Sequence, residues 1–531
     1  MRRSRSFALS AVLMGVIILL SKIMGLLRDV LIAGAWGTTA YAVAYETASK
    51  LPLTVFDFVL GGVVTAAFIP VYSSVLVKKG REEALSFTSS YINLMLIVTG
   101  IMTLVGEVFA PFLVSLIAPE LESGVSSLAV SLTRIMFPMV IFVSLAFSLV
   151  GFLQSEGEYN LPAVISLVSN VIMILYLVFL REKFGVYGLS AAMLIGWGAQ
   201  ALVQVPRARS LGLRYRLRSP VNTPEVRRAA KNAVPILLST WVTPLCTLVN
   251  TRLASGIDNG RAISALGYAN KLYIIIVGLF SFVATNLLFP YFARAAAEGE
   301  KGEAERLTRS SVKILVFIIA PISVGVFVLS SPLISLIYER GTFTSSDTAL
   351  TASALGAYAC GMIFAAVNEV LSKAFFAAEK NVYPMISSAV SAAVNIAAVA
   401  ALSGSGILPE MSASRAAAVV ALISSGVTAV NMTVNLIFAV RAGLFTPKRA
   451  DVRDILVSAV SALIMGGGIK LFTVTVEGGL LMTFIVPIFI GIALYAVCVT
   501  LMRSGEMLSL IGAAKKKLGL SRGGSDENDT K

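Results

Sequence analysis

Polar and apolar residues along this chain come in blocks rather than in short alternation. Apolar stretches of about 20 residues, each long enough to cross a ~30 Å hydrocarbon layer as a helix, recur at about 8–35, 43–75, 87–117, 126–153, 161–180, 185–205, 228–254, 262–292, 310–337, 347–376, 383–402, 414–440, 452–473 and 478–502. The pattern predicts an all-α polytopic membrane protein with about 14 transmembrane helices. No polar stretch between them is long enough to form a separate soluble domain.

One apolar stretch carries charge. In SKIMGLLRDVLIAGAWG, Ser21 to Gly37, the helical period places Ser21, Gly25 and Arg28 on one stripe and Lys22 and Asp29 on the next, within a sector of roughly 120°. Apolar side chains fill the remainder. The first helix is therefore expected to present one polar strip and one lipid-compatible surface.

The polar blocks differ in charge. VKKGREE, PRARSLGLRYRLRSPVNTPEVRRAAK, ARAAAEGEKGEAERLTR and RAGLFTPKRADVRD alternate with GTTAYA, APELESG, SGIDNGR, ERGTFTSSD, SGSGILPE and TVEGG. Positive residues mark the cytoplasmic side, so both termini fall inside, as an even number of spans requires. MRRSRS and the run behind it read as the start of a first span, without a small-residue cleavage signal. SRGGSDENDTK reads as a disordered tail.

Composition narrows the function classes. Of 531 residues 57% are hydrophobic and 14% charged, with a mean hydropathy of +0.85. The formal net charge of +14 lies in alternate loops, which suits membrane orientation and argues against nucleic acid. Histidine is absent, removing the commonest general base and metal ligand. Cys246, Cys360 and Cys498 stand apart within apolar segments, as small buried hydrophobes do. No enzyme activity, cofactor or metal is expected.

A weak repeat runs through the chain. Thr65, Pro70, Tyr72 and Ala84 recur as Thr285, Pro290, Phe292 and Ala304, and SEGEYNLP ending at Pro162 recurs as AAEKNVYP ending at Pro384. This predicts an N-terminal lobe of six helices (1–205), a basic cytoplasmic linker (206–227), a second six-helix lobe (228–440), a C-terminal helix pair (441–505) and a cytoplasmic tail (506–531). Repeats of this kind favour a transporter with its site between the lobes.

Charges inside spans cost at least ~2.5 kcal/mol at the bilayer centre, so each should face a partner or a watery cavity. Lys50, Lys373 and Lys470 fit snorkelling near helix ends. Glu369 and Lys373 are spaced as an intrahelical pair, and Arg134 and Arg252 read as structural. Lys22, Arg28 and Lys271 against Asp29 leave net positive charge facing inward, which suits an anion such as phosphate.

The stretch from Ser21 resembles the first-helix signature of the MurJ (MviN) family of bacterial lipid II flippases. SKLPLTVFDFVLGGVVTAAFIPVYSS resembles that family's second helix, LTRIMFPMVIFVSLAFSLVGFLQSEGEYNLPA its fourth, and YANKLYIIIVGLFSFVATNLLFPYFAR its eighth. The family lies in the multidrug/oligosaccharidyl-lipid/polysaccharide exporter superfamily. The resemblance implies two six-helix lobes around a cavity plus two C-terminal helices, a place in the bacterial cytoplasmic membrane, and a substrate, the undecaprenyl-pyrophosphate-linked disaccharide pentapeptide (lipid II). Cell-wall synthesis proteins are candidate partners beside the membrane lipids. Carried across, the cavity cations fall on Lys22, Arg28 and Lys271, with Asp29, Ser21, Gly25, Lys50 and Asn270 beside them.

The chain also departs from that pattern. Lys22 stands where arginine is common, Phe56-Asp57 where many relatives carry Arg-Arg, and Asn270 where an acid can occur. Some members are thought to bind sodium through acids and amides of the seventh and eleventh helices; here the positions are Asn250 and Asn395, both amides. Coupling to the membrane potential or to a monovalent cation is expected from the transport class. The rival readings are an exporter of another lipid-linked oligosaccharide, a cation-coupled drug or metabolite antiporter of the same superfamily, and a membrane scaffold without transport.

Overall fold

The computed structural model describes residues 2–60, 67–217, 219–231, 242–283, 291–292, 301–476, 478–479 and 481–508. Thr65, Thr285 and Pro290 of the internal repeat, and the tail from 509, lie outside these. Among the described residues the regular elements are helical: α1 (Arg2–Trp36), α2 (Ala40–Leu60), α3 (Ile69–Lys79), α4 (Arg81–Val108), α5 (Ala110–Ile117), α6 (Ser123–Met136), α7 (Met139–Ser155), α8 (Asn160–Phe179), α9 (Arg181–Ser210), α10 (Val242–Ser255), α11 (Arg261–Val283), α12 (Lys301–Val328), α13 (Ser330–Tyr338), α14 (Ser345–Ala359), α15 (Met362–Ala377), α16 (Val382–Ser405), α17 (Ala413–Arg441), α18 (Arg449–Thr475) and α19 (Val486–Leu501). The chain is thus an all-α membrane protein, as its apolar blocks predict.

Eight helices among the described residues are long and apolar enough to cross a membrane, and ten spans result if each of two bent pairs counts as one. Apolar runs read as single spans are broken in the structure. Residues 126–153 form α6 and α7, bent by 40° where Pro138 lacks an N–H and crowds the preceding turn. Residues 347–376 form α14 and α15, bent by 43°. There the freed carbonyls of Ala357 and Ala359 accept the hydroxyls of Ser425 (2.8 Å) and Ser323 (2.5 Å), which is how a broken helix satisfies its backbone without water. A Cβ at Gly361 would lie 2.8 Å from Ser425 Oγ, so the break needs glycine at that point.

Two compact units make up the chain. The first comprises residues 1–275, 337–354 and 388–423. In it α1 packs along α8, α7 and α8 along α9, and α2 along α6. Alanines at 33, 42, 44 and 48 are buried and let backbones approach, as small residues do between membrane helices. Phe68, Tyr72, Phe87 and Tyr91 form a cluster of stacked and tilted rings. The linker returns to this unit: Arg207 pairs with Glu158 at 3.0 Å, and Arg81, itself paired with Glu156, donates to the carbonyl of Leu211 at 2.8 Å. Lys79 donates to Glu225 at 2.6 Å. That hydrogen bond holds the Glu225 carboxyl below its ordinary range and raises the Lys79 ammonium.

The second unit comprises residues 276–336, 355–387 and 424–531. In it α12 packs on α15 and α18, and α18 on α19. A Cβ at Gly466 would lie 2.4 Å from Val324 Cγ1 and one at Gly491 2.7 Å from Ile469 Cδ1, so close packing of the C-terminal helices depends on glycine. Glu369 and Lys373 form the intrahelical pair their spacing suggests, at 3.4 Å. Lys470 is exposed near the end of α18, consistent with snorkelling.

Candidate functional site

The polar strip of α1 is met by polar groups from three other helices of the first unit. Arg28 Nε and Nη2 donate to Asp29 Oδ1 at 3.0 and 2.8 Å, and Nη1 donates to Asn170 Oδ1 on α8 at 3.0 Å. Asn170 Nδ2 returns to the carbonyl of Ser21 at 3.2 Å, and a Cβ on Gly25 would stand 3.6 Å from the same amide. Lys271 on α11 lies 3.7 Å from Asp29 Oδ1 and 2.5 Å from Glu46 Oε1 on α2. Its ammonium also sits 5.3 Å from the ring centre of Tyr268.

Burial divides the cluster. The carboxylate side chains of Asp29 and Glu46 are 5% and 6% exposed, while Arg28 and Lys271 each keep 27%. The acids lie behind the cations and aim them. A guanidinium has five N–H donors; three are used among the described residues, leaving one on each Nη nitrogen. This fork is suited to two oxygens of one phosphate.

The remaining predicted residues fall around this quartet. Ser21 is buried, and its hydroxyl has no hydrogen-bond partner among the described residues. Lys22 and Lys50 are half-buried and form no ion pair among the described residues. Asn270 precedes Lys271 and is half-buried. Asn250 lies on α10 and Asn395 on α16. Arg134 and Arg252 donate to the carbonyls of Glu107 and Leu116. Sequence reasoning overlooked Glu46 and Asn170. Glu46 is an acid inside an apolar span, and the cost of burying it was the available signal.

Beyond the end of α1 the same unit is tied by a second network. Arg261 Nη2 meets Asp347 Oδ1 at 2.8 Å and Arg261 Nε meets Thr38 Oγ1 at 3.0 Å; Thr38 donates to Asp347. Tyr268 donates to the carbonyl of Gly37 at 3.0 Å, and Thr342 N to that of Gly34 at 3.0 Å. Gly341 has φ +61°, and a Cβ there would lie 2.2 Å from Gly34 O. Gly341→Ala should therefore cost roughly 3 kcal/mol, combining a left-handed backbone with a backbone collision. Gly443→Ala is the control, since φ is +71° but its Cβ would meet open space. Thermal unfolding in detergent should show a clearly larger loss for Gly341→Ala, and equal losses would refute the collision.

An all-helical chain of apolar spans, with two cations held half-open on a polar strip inside its helices, has the make-up of a polytopic membrane transporter. Its fold matches a structure described as "Lipid II flippase MurJ, inward closed conformation", with a TM-score of 0.78 and 24% identity over 92% of this chain and 98% of that one. It also matches an inward-facing multidrug resistance MATE family transporter of the MOP superfamily, with a TM-score of 0.64 and 15% identity over 82% and 98%. The family model for lipid II flippase MurJ matches residues 32–491. The "Probable lipid II flippase MurJ" of Rhizobium meliloti (strain 1021) is 30% identical over 385 residues, 71% of each chain. The chain belongs to the MurJ family of lipid II flippases.

Proposed function

We propose that this chain moves lipid II from the inner to the outer leaflet of the bacterial cytoplasmic membrane by alternating access. The observation that supports this most is the quartet of Arg28, Lys271, Asp29 and Glu46, whose cations stay accessible while its carboxylates are sealed behind them. The free guanidinium donors and the Lys271 ammonium would hold the pyrophosphate, with Lys22 and Lys50 adding positive charge nearby. The sugar–peptide headgroup would follow through a polar cavity while the polyprenyl tail stays in lipid, avoiding passage of charge through hydrocarbon.

Asp29 and Glu46 give the mechanism its release step. They compete with the pyrophosphate for the same cations, so binding is reversible. In this reading the two six-helix lobes, 1–205 and 228–440, rock about the site, both termini are cytoplasmic, and energy comes from the membrane potential or a monovalent cation. Asn250 and Asn395 are the candidate positions for such a cation.

The full chain in proteoliposomes, loaded with lipid II in the inner leaflet, tests this. The expected result is faster appearance of headgroup at the outer surface than in protein-free vesicles, with a lipid-linked oligosaccharide lacking the peptide moved more slowly. Equal transport of the two lipids would favour a general exporter. No acceleration, or transport of an organic cation instead, would overturn the reading.

A further inference from the structure

The basic linker ends in a tip with no role in the cluster of α1. Its backbone wraps one side chain: Asn93 Nδ2, on α4, reaches the carbonyls of Arg216 (3.0 Å), Leu217 (3.0 Å) and Ser219 (3.1 Å), and Tyr215 donates to Asn93 Oδ1 at 2.7 Å. Asn93 is 5% exposed and Leu213 4%, so both ends of the tip are anchored. Around these anchors the tip is open, even with the Tyr215 hydroxyl held on Asn93. Leu217 is 76% exposed and Tyr215 45%, and Arg214 and Arg216 are exposed.

The height of the tip along α4 can be read from the helix itself. From Arg81 to Met95 α4 exposes no large apolar side chain, whereas Ile97, Ile101, Leu104, Val105 and Val108 are all exposed. α4 is covered by protein from Ala84 to Leu96, and its exposed apolar face begins one turn, about 6 Å, beyond Asn93. That places Leu217 and Tyr215 at the boundary between headgroups and acyl chains, where an aromatic ring with a polar end and a bare leucine are both accommodated. Charge agrees with depth. Arg81, Arg207 and Lys79 at the base of the linker are paired with acids, while Arg214 and Arg216 at the tip form no ion pair among the described residues.

We infer that the tip at residues 213–217 is a membrane-interface anchor, with Leu217 and Tyr215 entering the acyl boundary and Arg214 and Arg216 binding the phosphates of anionic phospholipids in the leaflet the linker faces. The inference rests on the membrane-spanning reading of α4 and is independent of which lipid is transported. Arginine suits this ligand through its forked donors. The rigid attachment to Asn93 makes the contact a fixed brace for the first unit rather than a floating basic segment.

Two measurements on the full chain test it, neither reading transport. In a Cys246→Ala, Cys360→Ala, Cys498→Ala background, a nitroxide at Leu217→Cys in bilayers should be quenched by oxygen more than by a water-soluble nickel complex. One at Asn222→Cys should show the reverse. Separately, the preference for spin-labelled phosphatidylglycerol over phosphatidylcholine should fall at least about fivefold in Arg214→Gln/Arg216→Gln, since each basic group near a charged surface contributes about that factor. A nickel-accessible label at 217, or an unchanged lipid preference, would overturn the inference.

Discussion

Arg28→Ala, inserted at the wild-type level, is expected to lose lipid II translocation by about a hundredfold in the proteoliposome assay. Hydrogen bonds to charged groups contribute about 1.5–3 kcal/mol each, and the substitution removes both N–H donors that remain free for the substrate. The fold should survive, because Asp29 keeps Lys271 at 3.7 Å and Lys271 keeps Glu46 at 2.5 Å. Arg28→Lys should recover part of the activity, restoring the charge without the fork. Thermal unfolding separates this from a structural role. If Arg28 only holds α1 to α8 through Asn170, Arg28→Ala will lower the unfolding temperature and still translocate, and the assigned site fails.

The α1 strip could be read in advance because a charge in an apolar helix has few explanations. Arg28, Asn170, Asp29 and Lys271 meet in the structure, yet only the three charged ones announced themselves. Asn170 is neutral, sits in the apolar run SLVSNVIMILYLVF, and has no periodic signal of its own. Glu46 lies in AYETASK, inside the 43–75 span, where the cost of burying an acid was a signal left unused. Helix breaks were illegible for another reason. Apolar content sets the length of a span, but the bend before Gly361 depends on tertiary partners, Ser323 and Ser425, which lie 36 and 68 residues from the carbonyls they meet. The linker tip was legible only as charge, since Asn93 is an unremarkable amide until the carbonyls of 216–219 converge on it.

In the second unit, Lys313→Met should destabilise the docking of the C-terminal helices by roughly 3–5 kcal/mol, the usual cost of removing one partner from a buried ion cluster. Lys313 on α12 lies 3.2 Å from Asp451, 3.4 Å from Asp454 and 3.2 Å from Glu506. These three side chains are 8%, 11% and 9% exposed. Arg309 shares Asp451 at 3.1 Å but is also paired with Glu305 at 3.2 Å, so it cannot compensate all of them. Methionine keeps most of the lysine's volume and removes only its charge, taking away the ammonium that Asp454 and Glu506 share. Gly505 N and Ser504 Oγ still donate to them, which satisfies oxygens but does not neutralise charge. Adding Asp454→Asn and Glu506→Gln to Lys313→Met should recover much of the loss, because two carboxylates that shared the Lys313 ammonium no longer carry like charge. Trypsin provides a local readout alongside thermal unfolding, since Arg503 is exposed just before the pinned Ser504–Glu506 segment. Cleavage there should accelerate in Lys313→Met and slow again in the triple variant. If all three proteins are cut at the same rate, the cluster does not hold the C-terminal segment to α12.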